Sequence, residues 1–290
     1  MFDAHAHLIS ADRGRYPPKP LRGELSPGEF DDPMTAEKLI AFMDAAGVSG
    51  ACAVQRAHVY GYDNSYILDA ASAYPQRFRA VVALNAADPS TPSILSHLIR
   101  ERGASGVRFV APSFPHAPLD WIESEEAEAS WRAATELGAP ICVHVLFVQR
   151  DTVLPALARQ AARFTDVPII VDHVGGAHPS HVELAWMQSQ GLDVGFEYPE
   201  SVLKLVEFGN VVMKASSINL SVSPSPAAFL ARALELFGAE RLIWGSDIGQ
   251  SRGAYSAKVS EARAAVGTWP DDAKTAFLSG NAKRLYRATD

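Results

Sequence analysis

Apolar positions along the chain fall into short, nearly unbroken runs, separated by longer stretches with helical periodicity. The first run, Phe2-Asp3-Ala4-His5-Ala6-His7-Leu8-Ile9, reads as a strand, and seven more follow at 50–55, 80–84, 106–110, 140–145, 168–173, 211–216 and 241–247. Between the first two, Asp32-Pro33 resembles a helix start, and Leu39, Ile40, Phe42 and Met43 form an apolar stripe that Gly47 stops. Further helices are predicted over 63–74, from Asp88-Pro89 to near Gly103, over 123–138 and over 151–164. A helix-rich region at 179–208 and helices at 226–237, 255–266 and 271–286 complete the pattern.

Runs this continuously apolar suit strands covered on both faces, as in parallel sheets. Eight of them alternating with helices count to a (β/α)8 TIM barrel. A doubly wound open sheet is the alternative, but it usually has a glycine-rich phosphate turn after its first strand, and here histidines stand in that place. Residues 10–32, with Tyr16-Pro17-Pro18-Lys19-Pro20, suit no regular element and read as a long lid or binding loop.

A chain of 290 residues, 48% apolar, can bury a large core, and no composition shift or linker divides it, so residues 1–290 are expected to form a single domain. The net charge of −7 is spread without a basic stripe, which argues against nucleic acid and against an anionic membrane surface. Small molecules are the expected partners. The two cysteines, Cys52 and Cys142, sit inside apolar runs, so buried thiols in a reducing compartment are expected rather than a disulfide. The first strand begins at residue 2, no run approaches membrane-span length, and a cytoplasmic location is the expectation. Aromatics such as Tyr198 and Trp186 could mark an interface, and a homodimer is compatible with them.

Chemistry in such a barrel sits where the strands end at the C-terminal face. Polar residues there are His5 and His7, two apart and so on one face of the first strand, Arg56 and His58 after the second, Arg108 on the fourth, His144 on the fifth, His173 on the sixth and Asp247 on the eighth. Any one of them has a plain structural explanation. Four histidines and an aspartate together do not, because burying each without a partner costs about 1–3 kcal/mol. A bound cation would satisfy them jointly, and imidazoles with one carboxylate and no thiolate suit one divalent ion, zinc first, with manganese or iron as alternatives. Asp247 is the candidate base, and Arg108, in an apolar strand, the candidate group for a carboxylate or a polarised carbonyl. The loops at the mouth offer Arg56, His58, Tyr60, Asn64 and Arg252 as candidate substrate contacts. Lys214, on the seventh strand, reads as a lysine snorkelling to solvent.

Asp3-Ala4-His5-Ala6-His7, His144, Val171-Asp172-His173-Val174-Gly175, Trp244-Gly245-Ser246-Asp247 and Asn281-Ala282-Lys283-Arg284-Leu285-Tyr286 together resemble the amidohydrolase superfamily, more narrowly its amidohydrolase-2 branch. The resemblance spans nearly the whole chain. It implies His5, His7, His144 and Asp247 as metal ligands, with His173 beside the metal and Asp247 doubling as base. The branch includes sugar lactonases, the 2-pyrone-4,6-dicarboxylate lactonase group and metal-dependent decarboxylases. Arg15-Tyr16-Pro17, Val54-Gln55, Asp63-Asn64 and Gly106-Val107-Arg108-Phe109 look like lactonase segments. Ile248-Gly249-Gln250-Ser251 stands where many members have Trp-Pro, and the fourth strand has no lysine to bridge two metals, so one metal is expected. Pyrone-type lactonases can lack the strand-five histidine and work without metal, whereas His144 is present here. The leading expectation is a metal-dependent hydrolase opening the ring ester of a small, carboxylated lactone. The alternatives are a non-oxidative decarboxylase of an aromatic or muconate-type acid, and a non-catalytic ligand-binding barrel.

Overall fold

The computed structural model describes all residues except 22, 113–117, 193–194 and 289–290. Eight parallel strands, β1 (Phe2–Ala6), β2 (Gly50–Val54), β3 (Phe78–Leu84), β4 (Gly106–Phe109), β5 (Ile141–Val143), β6 (Ile169–Val171), β7 (Val211–Ser216) and β8 (Leu242–Gly245), pair in sequence order. An isolated parallel bridge between Ala6 and Ile248 brings the last strand back to the first. His7 N donates to Ile248 O at 2.9 Å and Asp247 N to His5 O at 2.7 Å across this seam. The result is the (β/α)8 barrel that the alternation predicts.

Each strand feeds a longer helix: α1 (Ala36–Ala46), α2 (Ser65–Ala73), α3 (Thr91–Arg100), α4 (Glu125–Glu136), α5 (Arg150–Arg163), α6 (His181–Ser189), α7 (Pro226–Phe237) and α8 (Tyr255–Ala265), with short helical turns between some of them. Helix α1 starts later than Asp32-Pro33 suggests, because Thr35 caps it by accepting from Lys38 N, and it ends as expected on Gly47 in the left-handed region. The region 179–208 is less helical than expected: among the described residues its helical parts are α6 and short turns at Glu200–Leu203 and Lys204–Glu207. The closing segment is helical but broken at Ala276–Gly280, where the turn widens.

Side-chain parity sorts the strands into two layers. Ile141 and Val143, Ile169 and Val171, and Val211, Met213 and Ala215 point outward and pack under the helices. Cys142, Ile170, Val212 and Ile243 point inward with Phe2, Ala4, Cys52 and Val54, and Tyr286 plugs this inner core. Continuing the inward parity gives His144, Asp172, Lys214 and Ser216, a polar layer above the apolar one. β1 joins it through a slip. Asp3 pairs with Ala51 but Ala6 with Ala53, so β1 has one extra residue there. The bulge moves the inward face from Phe2 and Ala4 to His5 and His7, while Ala6 and Leu8 turn out into the helix-facing core.

Candidate active site

His5 Nε2 lies 3.1 Å from His7 Nε2 and 3.4 Å from Asp247 Oδ1, and His7 Nε2 lies 3.5 Å from the same oxygen. All three residues are buried. His7 Nδ1 donates to Val54 O at 2.8 Å, so its Nε2 has a lone pair facing the other two groups. Two glycines admit this crowding. A Cβ on Gly245 would stand 2.4 Å from His5 Cβ, and one on Gly249 would stand 2.3 Å from His7 O. Asp247 holds a left-handed φ of 54°, unusual for a residue other than glycine. Ser251 steadies it by donating N–H at 2.9 Å and Oγ–H at 2.8 Å to Asp247 O, and Lys258 Nζ grips Ser251 Oγ at 2.6 Å.

Beside this triangle lies a second polar group. Asp172 Oδ2 accepts from Arg108 Nε at 2.8 Å, and its Oδ1 accepts from Lys214 Nζ at 2.8 Å and from Cys142 Sγ at 3.0 Å. Arg108 Nη2 also donates to His144 Nδ1 at 2.7 Å. His173, with φ 53°, meets Ser216 Oγ through Nδ1 at 2.7 Å, and Asn219 Nδ2 holds the His173 carbonyl at 2.9 Å.

Burial disfavours charge on every group here, and fixed partners decide which groups remain ionised. Burial would raise Asp172, but Lys214 and Arg108 hold its carboxyl well below the usual range. Lys214 keeps its proton because the attraction of Asp172 outweighs desolvation. Burial would likewise raise Asp247, which the neighbouring His7, His173 and His5 keep low. Burial lowers His5, His7, His144 and His173, so the four rings are neutral near pH 7.

Three donors on a tetrahedral cation at about 2.0–2.1 Å stand about 3.4 Å apart, which matches the His5–His7–Asp247 triangle. Both Asp247 oxygens are buried without a hydrogen-bond partner among the described residues, a costly state for a carboxylate unless something charged meets it. That face therefore fits one divalent cation, with His173 close enough to His5 and Asp247 to join it. A second grouping, His144, Asp172 and His173, is also compact enough for an ion. There two organic cations, Lys214 and Arg108, already hold Asp172 and the His144 Nδ1 lone pair.

The structure places His144 in the second grouping, beside Asp172 and His173. Arg108 can only donate, so His144 Nδ1 accepts from its Nη2, and a cation at that nitrogen would have to displace the guanidinium. The substrate contacts expected from the mouth loops are mostly engaged in building it. Arg56 is buried and binds Gly249 O, the Gln250 side chain and Glu29 of the long loop. His58 Nε2 meets Ser26 Oγ at 2.9 Å, and the Tyr60 hydroxyl accepts from Ser10 N at 2.9 Å. Asn64 spends its amide on Tyr62 O, Ala83 O and Ala83 N, so it joins β3 to α2 rather than facing a ligand. Arg252 is exposed. Lys214, expected to snorkel, is instead fully buried, and with Asp172 it is the main addition to the sequence-predicted set. The signal was its parity with Val212, two residues before the strand's end.

Two histidines at the end of the first strand, a histidine after the sixth and an aspartate after the eighth thus meet at the end of the barrel where active sites of this fold lie. A model of the amidohydrolase family matches residues 2–288, and the chain belongs to that family. It is 27% identical to an L-fucono-1,5-lactonase of Burkholderia ambifaria, over 99% of this chain and 95% of that protein. Among solved structures it is similar to a putative 2-pyrone-4,6-dicarboxylic acid hydrolase from Pseudomonas putida, with a TM-score of 0.74, 24% identity and coverage of 100% of this chain and 98% of that one. An amidohydrolase from Burkholderia multivorans with bound zinc has a TM-score of 0.71 and 18% identity, covering 99% of each chain. No helix among the described residues is long and apolar enough to cross a membrane.

Proposed function

We propose that the protein is a metal-dependent hydrolase that opens the ring ester of a small, carboxylated lactone. The observation that carries this reading is Asp247: an ionised, buried carboxylate with neither oxygen hydrogen-bonded, set against two imidazoles at metal-ligand spacing. The relative named for L-fucono-1,5-lactone and the structural neighbour named for a pyrone dicarboxylate both support a cyclic ester. His5, His7 and Asp247 would hold the ion, zinc being the first candidate on donor type. A divalent cation there supplies the positive charge that acidifies water and polarises an ester carbonyl.

The chain's own residues do the rest. Asp247 takes the proton of the attacking water as the oxygen joins the lactone carbonyl carbon, and returns it to the ring oxygen when the C–O bond breaks. His173 and the Arg108 guanidinium stabilise the oxyanion between these steps. A carboxylate on the substrate suits the same guanidinium.

Asp247→Asn and the wild type, each assayed on a panel of sugar and pyrone lactones by acid release, test this directly. We expect the variant to stay folded and turnover to fall about 10²–10⁴-fold, the span of general-base contributions. Full turnover in the variant would remove Asp247 as base. Carbon dioxide release from an aromatic acid would move the assignment to a decarboxylase, and ligand binding without turnover to a silent barrel.

A further inference from the structure

Lys214 Nζ is buried between three groups: Asp172 Oδ1 at 2.8 Å, His5 Nδ1 at 3.1 Å and Cys142 Sγ at 3.4 Å. An ammonium has three N–H donors and no lone pair, so all three neighbours must accept. His5 Nδ1 also faces Asp172 Oδ1, at 3.4 Å, and the usual partner of a metal-binding imidazole is such a carboxylate. That oxygen is already taken. Lys214 Nζ and the Cys142 thiol reach it at shorter range, and the ammonium facing His5 Nδ1 leaves that nitrogen no proton to add. The proton of neutral His5 then sits on Nε2. It points toward His7 Nε2 at 3.1 Å, whose lone pair is free because the other nitrogen donates to Val54 O.

We propose that Lys214 is a positioning residue that fixes the His5 proton on Nε2, so that a cation takes the His5–His7–Asp247 face only by displacing it. Without metal, the chain of donors runs Lys214 to His5 to His7 to the Val54 carbonyl, and each imidazole nitrogen in it is used. With metal, His5 turns its lone pair to the ion and its Nδ1–H to Asp172, which requires Lys214 to give up its hold on the ring. The ammonium thereby weakens cation binding in two ways, by guarding the lone pair and by standing as a like charge in a site of low dielectric. The inference rests on reading His5, His7 and Asp247 as a metal face, and its two measurements separate the two ideas.

The first measurement is long-range 1H–15N correlation on metal-stripped wild type labelled at histidine nitrogen, with His5 assigned from the His5→Gln spectrum. A non-protonated Nδ1 and a protonated Nε2 are expected; a protonated Nδ1 overturns the proposal. The second is zinc competition against a chelating dye for wild type, Lys214→Met and Lys214→Gln, with circular dichroism as the fold check. Folded variants should bind zinc at least tenfold more tightly than wild type, and equal or weaker binding overturns the guarding role. Should neither variant fold, the wild-type spectrum alone decides. Zinc binding by none of the proteins refutes the metal face, and with it the guarding role, while the spectrum still reports the tautomer.

Discussion

Asp172→Asn is the substitution that most directly tests how the barrel interior is held together. The wild-type carboxylate is fully buried and compensates two cations, Lys214 at 2.8 Å and Arg108 at 2.8 Å. Asparagine keeps the shape but removes the charge, and it turns an N–H₂ group toward donors that have no use for it. Breaking a buried ion pair by removing one partner costs about 3–5 kcal/mol, because the other charge stays buried and uncompensated. At about 2–4 °C per kcal/mol for large single domains, the melting temperature should fall by about 6–20 °C. Urea denaturation at pH 7 gives the free energy, and thermal scans give the shift. Adding Lys214→Met should return part of the loss, since the double variant has one fewer unpaired cation, with a coupling of about 1–3 kcal/mol. The effect should be level from pH 7 down to the unfolded carboxylate value of about 4, since a depressed folded pKa gives stability present above the unfolded pKa and lost only as pH falls through the folded one. A loss below about 1 kcal/mol at pH 7, or a double variant no more stable than the single, would refute the view of Asp172 as the interior's counter-ion.

Two further outcomes follow from geometry already described. Gly245→Ala places a Cβ 2.4 Å from His5 Cβ and 2.9 Å from His5 N, neither of which can swing aside, so β1 and β8 must part by about 1 Å. Circular dichroism should remain barrel-like while turnover drops about 10²-fold, the cost of a displacement of that size at a reacting centre, and unchanged turnover would count against the close approach. Stability should also fall in mild acid. Burial lowers the folded pKa of His5, His7, His144 and His173, so between that value and about 6.5 the unfolded chain binds more protons and stability declines with pH. His178, lowered by burial, adds to it; Asp3, which burial raises to about 6, and Glu261 oppose it by gaining protons in the folded form, and from pH 7 to 5.5 the five histidines outweigh the two carboxyls. Urea midpoints that rise across that interval would contradict it.

The fold was legible because eight runs such as Val81-Val82-Ala83-Leu84 and Ile169-Ile170-Val171 have only one way to be covered on both faces. His5, His7, His173, Arg108 and Asp247 were legible because strand ends converge in a barrel whatever the loops do. The contact between Arg108 and His144 was not, since it depends on which nitrogen the guanidinium reaches, a matter of rotamer and distance. Lys214 was misread because snorkelling is the common fate of a strand-end lysine, and the Asp172 that makes burial tolerable lies 42 positions away in sequence, on another strand. Tyr60 and Asn64 lie near the mouth as expected, but the long loop and β3 claim their polar atoms, and no local pattern announces such long-range claims.

The barrel's seam runs through the chemistry. Ser246 N and His5 N share Asp3 Oδ1, Asp247 N binds His5 O, and His7 N binds Ile248 O, contacts that join segments some 243 positions apart in the chain. Loop closure over that distance is the slowest kind of contact to make. Seven strands can be laid down in order by neighbour-to-neighbour pairing, yet His5 and Asp247 meet only when the eighth docks on the first. Recovery of activity during refolding thus timestamps ring closure itself, and should lag the return of helical signal by the duration of that final step.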